Sequence, residues 1–318
     1  MLTRNEKLLH CIDVAKQVGA EIGPLDRPVV TRRMGQIRYV DHDTTEALWI
    51  KYADPANHVD TSKIVEVDYV WGEKSLSDLL QGEAPIDYVI ASHVIEHVPD
   101  FIGWLNEVKA ILKPGGILSL AIPDKRRCFD YHRQLTKTAD VVEAYLRNSK
   151  TPSPRQIFDH LSSAVTFGGN IAWDRSVDAT QLVHCHSTAE AWVTAKNSFT
   201  TGDYCDVHCW VFTPISFLKL LSDLTDLDLL KFEVVQFYVT EGCEFFVSLR
   251  ATDQPDRAKV DDFAASLMGE DSALMVESEE VQELKSVQQQ IRAMESSKFW
   301  KMRTAWFKVK RKLGLPSR

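Results

Sequence analysis

The sequence predicts an α/β domain built on a doubly wound, mostly parallel sheet, and two stretches carry that expectation. Residues 86–91 and 117–122 are almost wholly apolar, and between them run a polar loop from Ser92 to Pro99, an amphipathic helical segment and a Lys113-Pro114-Gly115-Gly116 turn. Strands that are apolar throughout belong to a parallel sheet with helices over both faces. The alternation of strand and helix continues back toward the N-terminus. Each strand there ends in polar residues at its carboxyl end, where open α/β sheets bind ligands.

Taken in order, residues 5–18 show helical periodicity with Asn5 as a cap, and residues 20–22 form a short first strand. Gly23-Pro24-Leu25-Asp26-Arg27-Pro28 follows, and the second strand, 37–40, begins so soon afterwards that the crossover between them is abbreviated. Asp41-His42-Asp43 closes that strand, Thr44 caps a helix to about residue 52, and residues 63–67 form a third strand ending at Asp68. A short helix at 76–80 leads into the fourth strand. Residues 125–206 are mixed and too long for an ordinary connection, with helices at 139–147 and 188–196, a Pro-rich break at 151–156 and another helical piece to about 165. They are expected to be a mainly helical insertion over the active face. Residues 207–212 lead to Thr213-Pro214, which starts a helix through 221. Residues 229–238 and 244–249, separated by Glu241-Gly242, make an antiparallel pair that finishes the sheet.

The expected organisation is therefore a domain at 1–251, a linker at 252–275 and a helical tail at 276–318. In the tail Leu284, Val287, Ile291 and Met294 keep a coiled-coil heptad, followed after a one-residue shift by Phe299, Met302, Trp306, Val309 and Leu313.

Composition narrows the function. The net charge is −8, yet residues 296–318 hold eight Lys or Arg and no acid, so the remainder is twice as acidic as the whole. A surface of that sign does not clamp a nucleic-acid backbone, and no nucleic-acid partner is expected. Six cysteines lie scattered without a paired framework, which suits a reducing compartment and a cytoplasmic location. No apolar run approaches the roughly 20 residues that span a bilayer.

The order strand, SHVIEHV, helix, LKPGG, strand resembles the second half of a class I S-adenosylmethionine-dependent methyltransferase of the type 11 group. The resemblance implies a Rossmann-like sheet whose last strand reverses direction, and S-adenosyl-L-methionine as cofactor. A dinucleotide site would need G-x-G-x-x-G, and Glu21-Ile22-Gly23-Pro24-Leu25 fails that pattern. Glu21 and Gly23 do match the start of the acid-x-glycine run that such methyltransferases place here, the later glycines being absent. By the same resemblance Asp41, with Asp43 as second choice, holds the ribose hydroxyls, Asp68 holds the adenine amino group, and Ser92 and His93 lie beside the sulfonium and methionine end. Glu96 and His97 orient the loop. Acids at strand ends are also common as solvated turn residues, and Gly23 as an ordinary strand-to-loop glycine.

For the chemistry, the segment His208-Cys209-Trp210-Val211-Phe212-Thr213-Pro214 resembles a histidine-bearing loop that faces the acceptor in type 11 relatives. A histidine there can take the proton that an acceptor hydroxyl must lose. Asp124, ending the fifth strand, is the rival base, and a histidine bonded to a nearby carbonyl is the structural alternative. His132, His184 and His186 rank lower. Two metal-like patterns are read as non-metal. His93-Val94-Ile95-Glu96-His97 spells the H-x-x-E-H zinc-hydrolase pattern but follows a strand instead of lying in a helix, and His184-Cys185-His186 with Cys205-x-x-His208-Cys209 is explained by buried cysteines.

The leading expectation is O-methylation of a sugar or surface-glycan acceptor. The basic amphipathic tail, 281–318, would meet an anionic membrane surface, placing the protein peripherally on its inner face, or a protein partner. The alternatives are a non-catalytic methyltransferase-fold scaffold that organises other enzymes through its tail, and a zinc hydrolase.

Overall fold

The computed structural model describes residues 2–54, 59–72 and 74–271, with side chains to Leu267. Residues 1–267 form one compact unit and 268–318 a second. The tail heptads and the membrane or partner surface expected at 281–318 lie outside the described residues.

Strands β1 (Val18–Ile22), β2 (Gln36–Asp41), β3 (Tyr69–Val70), β4 (Ile86–Ser92) and β5 (Leu112–Pro123) run parallel. Separate from them, β6 (Val165–Phe167) and β7 (Leu182–His184) form a small antiparallel pair inside the insertion. The hairpin β8 (Phe232–Glu241) and β9 (Glu244–Ala251) completes a seven-stranded sheet in the order β3-β2-β1-β4-β5-β9-β8, with β9 antiparallel to both neighbours. This is the doubly wound sheet with a reversed last strand that the pattern implied.

The two faces are covered unequally. One packs under α3 (Leu76–Leu79), α4 (Phe101–Ile111), α5 (Thr138–Leu146), α8 (Pro214–Asp226) and α9 (Arg257–Asp271), with Val89, Leu118, Leu120, Phe217 and Phe245 among the buried residues. The other face is closed by α1 (Arg4–Leu8) and the β1–β2 crossover, through Leu8, Val29, Val30, Tyr39, Tyr88 and Phe246. Ser119 Oγ donates to the Leu8 carbonyl at 2.7 Å and pins α1 to β5.

Several elements differ from the sequence reading. The first helix is α1 alone, capped two residues before Asn5 by Thr3 in a capping box with Glu6, and Val18 already belongs to β1. The third strand is not at 63–67. The Val65 N–H donates to the Leu25 carbonyl and the Val67 N–H to Thr45 Oγ, so these backbone groups leave the ladder, and Asp68 precedes β3 instead of ending it. The Pro-rich break at 151–156 starts a helix, α6 (Pro154–Ser163), with Ser153 as cap and Pro154 in the first turn. A further helix, α7 (Thr188–Thr201), extends past its expected end to Gly202 in the left-handed region. The expected linker holds α9, whose Val260 and Leu267 are buried in the core with Phe263 packed beside them. The helix between β2 and β3, α2 (Thr45–Lys51), carries the Thr44 cap as read. Among the described residues no helix is long and apolar enough to cross a membrane.

Candidate active site

The chain steps from β1 to β2 in one direction and from β4 to β5 in the other, so the sheet reverses between β1 and β4, the switch point at whose carboxyl ends such sheets form their ligand crevice. Four of the expected residues stand there. The Gly23 N–H donates to the Val40 carbonyl at 2.9 Å, placing Gly23 beside Asp41 on the neighbouring strand. Its φ is +68°, which favours glycine, and a Cβ added to it would lie 3.1 Å from Val94 Cγ2 of the β4–α4 loop, tight enough that Val94 would have to give way. Asp41 is 4% exposed, and its Oδ1 accepts the His42 N–H at 2.8 Å. Ser92 ends β4, and His93 follows with φ +54°.

Arg4, which sequence reading passed over, spans this edge. Its guanidinium donates to Ser92 Oγ at 2.5 Å and to both carboxylate oxygens of Glu244 at 2.7 and 3.0 Å. His93 Nε2 lies 2.9 Å from the same Glu244. Burial alone would lower His93, but Glu244 and Glu96 outweigh it and raise the imidazole to about 9. Glu244 is likewise pushed up by burial and drawn down further by His93 and Arg4, to about 2.

Three expected site residues are spent elsewhere. Glu21 points into the second core and accepts the Val29 and Val30 N–H groups at 2.7 and 3.1 Å, so it fastens the β1–β2 crossover and does not face the crevice. Asp68 accepts the Tyr39 N–H at 2.8 Å and an Arg32 N–H at 2.9 Å, upstream of the carboxyl edge. It lines a cavity of about 500 Å³ with Tyr69, Gly72 and Asp78 at the sheet margin, apart from Gly23, Asp41 and Ser92. Asp124 is fully buried, forked by Arg126 at 2.7–3.1 Å and bonded by Thr240 Oγ at 2.5 Å. A carboxylate so occupied has no free lone pair to act as a base.

A second cluster adjoins the edge. The loop after β4 is fastened to residues 207–210: the Cys209 and Trp210 N–H groups both donate to the Glu96 carbonyl at 2.6 and 3.2 Å, and Trp210 Nε1 donates to the Val98 carbonyl at 2.7 Å. It is thus the Glu96 backbone, not its side chain, that orients the loop. These bonds bring His208 against His97, with ring centroids 4.6 Å apart. His208 Nδ1 pairs with Asp130 at 2.5 Å, and Asp130 is itself held by buried Arg133 at 2.8 Å. His97 Nδ1 pairs with Asp206 at 2.8 Å. His160, driven down to about 3 by burial and Arg133, stays neutral and accepts the His208 N–H at 3.1 Å. Glu96 lies among them, 0% exposed, with no hydrogen bond to either carboxylate oxygen and His93 Nδ1 3.4 Å away. One ligand atom each from Glu96, His97 and His208 lies within 4.8 Å of the others, and neither Cys205 nor Cys209 joins them. Cys209 is buried and directs its Sγ to the His97 carbonyl, and His184, Cys185 and His186 are exposed. The H-x-x-E-H stretch forms turns, not a helix, so it lacks the one-face geometry of a zinc hydrolase.

Comparison with known proteins gives the family of the chain. The family model described as methyltransferase domain matches residues 12–220, about two thirds of the chain. The chain belongs to this methyltransferase family. No curated protein matches it. Among solved structures, the methyltransferase is similar to an S-adenosylmethionine-dependent methyltransferase from Mesorhizobium loti (12% identity, 77% of this chain and 97% of that one, TM-score 0.38). It is also similar to the 1,6-didemethyltoxoflavin-N1-methyltransferase of Burkholderia thailandensis (14%, 78% and 76%, TM-score 0.34). A third similarity is to the CurJ carbon methyltransferase (15%, 75% of this chain, TM-score 0.35), of which the chain spans about half, 49%.

S-adenosyl-L-methionine is the cofactor of the methyltransferase. The switch-point residues fit it in what the structure shows directly: at Gly23 a Cβ would be strained and tight against Val94, so the backbone is open to close approach, and an acid, Asp41, ends the adjacent strand. Neither Arg4 nor Asp130 could be found from spacing, because each meets its partners only through the tertiary fold. The Glu96-His97 pair was visible, but its convergence with His208 was not.

Proposed function

We propose that the protein transfers the methyl group of S-adenosylmethionine to a hydroxyl of a sugar or surface-glycan acceptor. The observation that carries this reading is the junction of two polar sites: the cofactor edge at Gly23, Asp41 and Ser92, and, directly after it in the β4–α4 loop, the buried Glu96–His97–His208 cluster. Asp41 would hold the ribose hydroxyls. Arg4 and the His93 cation, now shared with Glu244, would offer positive charge to the methionine carboxylate.

When bound, the cofactor supplies an electrophilic methyl on a positively charged sulfur. The chain's own part is to align the acceptor oxygen opposite that sulfur and to manage the hydroxyl proton. The new C–O bond forms as the methyl–sulfur bond breaks, the electron pair stays on sulfur, and the proton leaves the oxygen. A hydroxyl acceptor suits a cluster of two carboxylate-backed imidazoles, whereas an apolar carbon acceptor would not repay burying it.

Calorimetric titration of the whole protein with S-adenosylmethionine, followed by transfer of labelled methyl to hydroxyl-rich sugars, tests the reading. Asp41→Ala is expected to weaken cofactor binding by roughly tenfold or more, the loss of a charge-assisted hydrogen bond. Undiminished binding would remove Asp41 from the ribose, and absence of any binding by the unaltered protein would end the proposal.

A further inference from the structure

We infer that Glu96, His97 and His208 form a binding site for one divalent first-row transition-metal ion beside the methyl-transfer edge. Three independent features converge on it. The three ligand atoms lie within 4.8 Å of one another, so side-chain rotations of about an ångström would bring them to the roughly 3–4 Å separations of ligands bonded at about 2.0–2.2 Å. Each histidine gives its Nδ1 to an aspartate, His97 to Asp206 at 2.8 Å and His208 to Asp130 at 2.5 Å. That leaves each Nε2 as the free nitrogen, in the carboxylate–histidine arrangement by which proteins orient metal ligands. Glu96 is fully buried with neither oxygen hydrogen-bonded; the His93 cation lies 3.4 Å from Oε1, and Oε2 is left for a second cation to complete.

The donor set selects the ion. Two imidazole nitrogens and one carboxylate suit Mn²⁺, Fe²⁺, Co²⁺ or Zn²⁺ over Mg²⁺ or Ca²⁺, which prefer oxygen ligands, and three protein ligands leave coordination positions open. The existence of the site does not depend on the proposed methyl transfer, but its chemical role rests on that reading. A cation here would take the acceptor hydroxyl on an open position and lower its pKa. The hydroxyl proton then passes to water, the oxygen bonds to the methyl carbon, and sulfur keeps the electron pair of the broken bond. His208 would then serve as ligand in place of the base.

The test uses the full chain, freed of metal with a chelator and titrated with Co²⁺ alone, followed by visible absorption and calorimetry. One saturable site per chain is expected, weakened roughly tenfold or more by Glu96→Gln and by His208→Ala, and about tenfold by Asp206→Asn, which alters the support of His97 and not a ligand. Glu96→Gln decides the matter if His208→Ala fails to fold, because it keeps the shape and, besides the metal ligand, removes only the ion pair with His93. No saturable Co²⁺ binding, or Glu96→Gln binding as tightly as the unaltered protein, overturns the site. Titration with S-adenosylmethionine separates the two readings: Co²⁺ binding without cofactor binding supports the site and ends the methyl-transfer proposal, and cofactor binding without Co²⁺ binding does the reverse.

Discussion

The Glu21 carboxylate accepts the Val29 N–H at 2.7 Å and the adjacent Val30 N–H at 3.1 Å, closing the β1–β2 crossover onto the strand it leaves. Residues 23–35 contain no helix, so their backbone donors need other acceptors, and a buried glutamate supplies two. Burial dominates its titration and raises it from 4.5 to about 7 in spite of those bonds and of Arg4.

A pH dependence of stability follows from that carboxylate. Its folded pKa lies above its unfolded one, so its favourable contribution is complete below pH 4.5 and is lost as pH rises through about 7. The difference amounts to about 3 kcal/mol. Urea midpoints measured from pH 4.5 to 8 should fall across this window for the unaltered protein, and Glu21→Gln, which cannot ionise, should flatten the slope. An unchanged slope in the variant would assign the effect to another group.

Gly23 and Gly115 both have positive φ, at +68° and +80°, but only Gly23 has a neighbour where a Cβ would stand. Alanine at either position costs about 1–2 kcal/mol in backbone strain. At Gly23 it must also displace Val94, and with it the loop that carries Glu96 and His97. Gly23→Ala is therefore expected to weaken binding of S-adenosylmethionine, and Gly115→Ala to lower stability while leaving binding unchanged. Equal affinities for the two variants would show that the cradle is not used.

Residues 257–267 contribute to the core of the domain, with Val260 2% and Leu267 6% exposed. Val260→Ala should cost roughly 2 kcal/mol, as for other buried aliphatic truncations, while Asp262→Ala on the exposed face should cost little. Thermal melts of the two variants check this. A silent Val260→Ala would return the segment to the status of a linker.

Much of this was legible in the chain itself. The helix through Pro214 and the hairpin at its end follow from capping chemistry and hydrophobic period, which act over a few residues. The third strand misled because residues 63–67 look apolar enough for a ladder, but their N–H groups find Leu25 and Thr45, partners remote in sequence. The segment after 251 looked polar because its buried positions, Val260, Phe263 and Leu267, are few and spaced only at helical period.

The sequence by itself determined the doubly wound sheet and the reversed last strand, because both are written in local periodicity and the order of strands, and its resemblance to class I methyltransferases implied the cofactor. Only the tertiary structure decided how the polar side chains are shared out. Glu21 and Asp68 read as ligands and Asp124 as a base on paper, yet each is consumed by backbone or guanidinium partners in the folded chain. His208 lies more than a hundred residues from Glu96 and His97 along the chain and meets them through the hydrogen bonds of Cys209 and Trp210 to the Glu96 carbonyl. A side chain's type is local information, but whether its lone pairs are free depends on every segment packed around it.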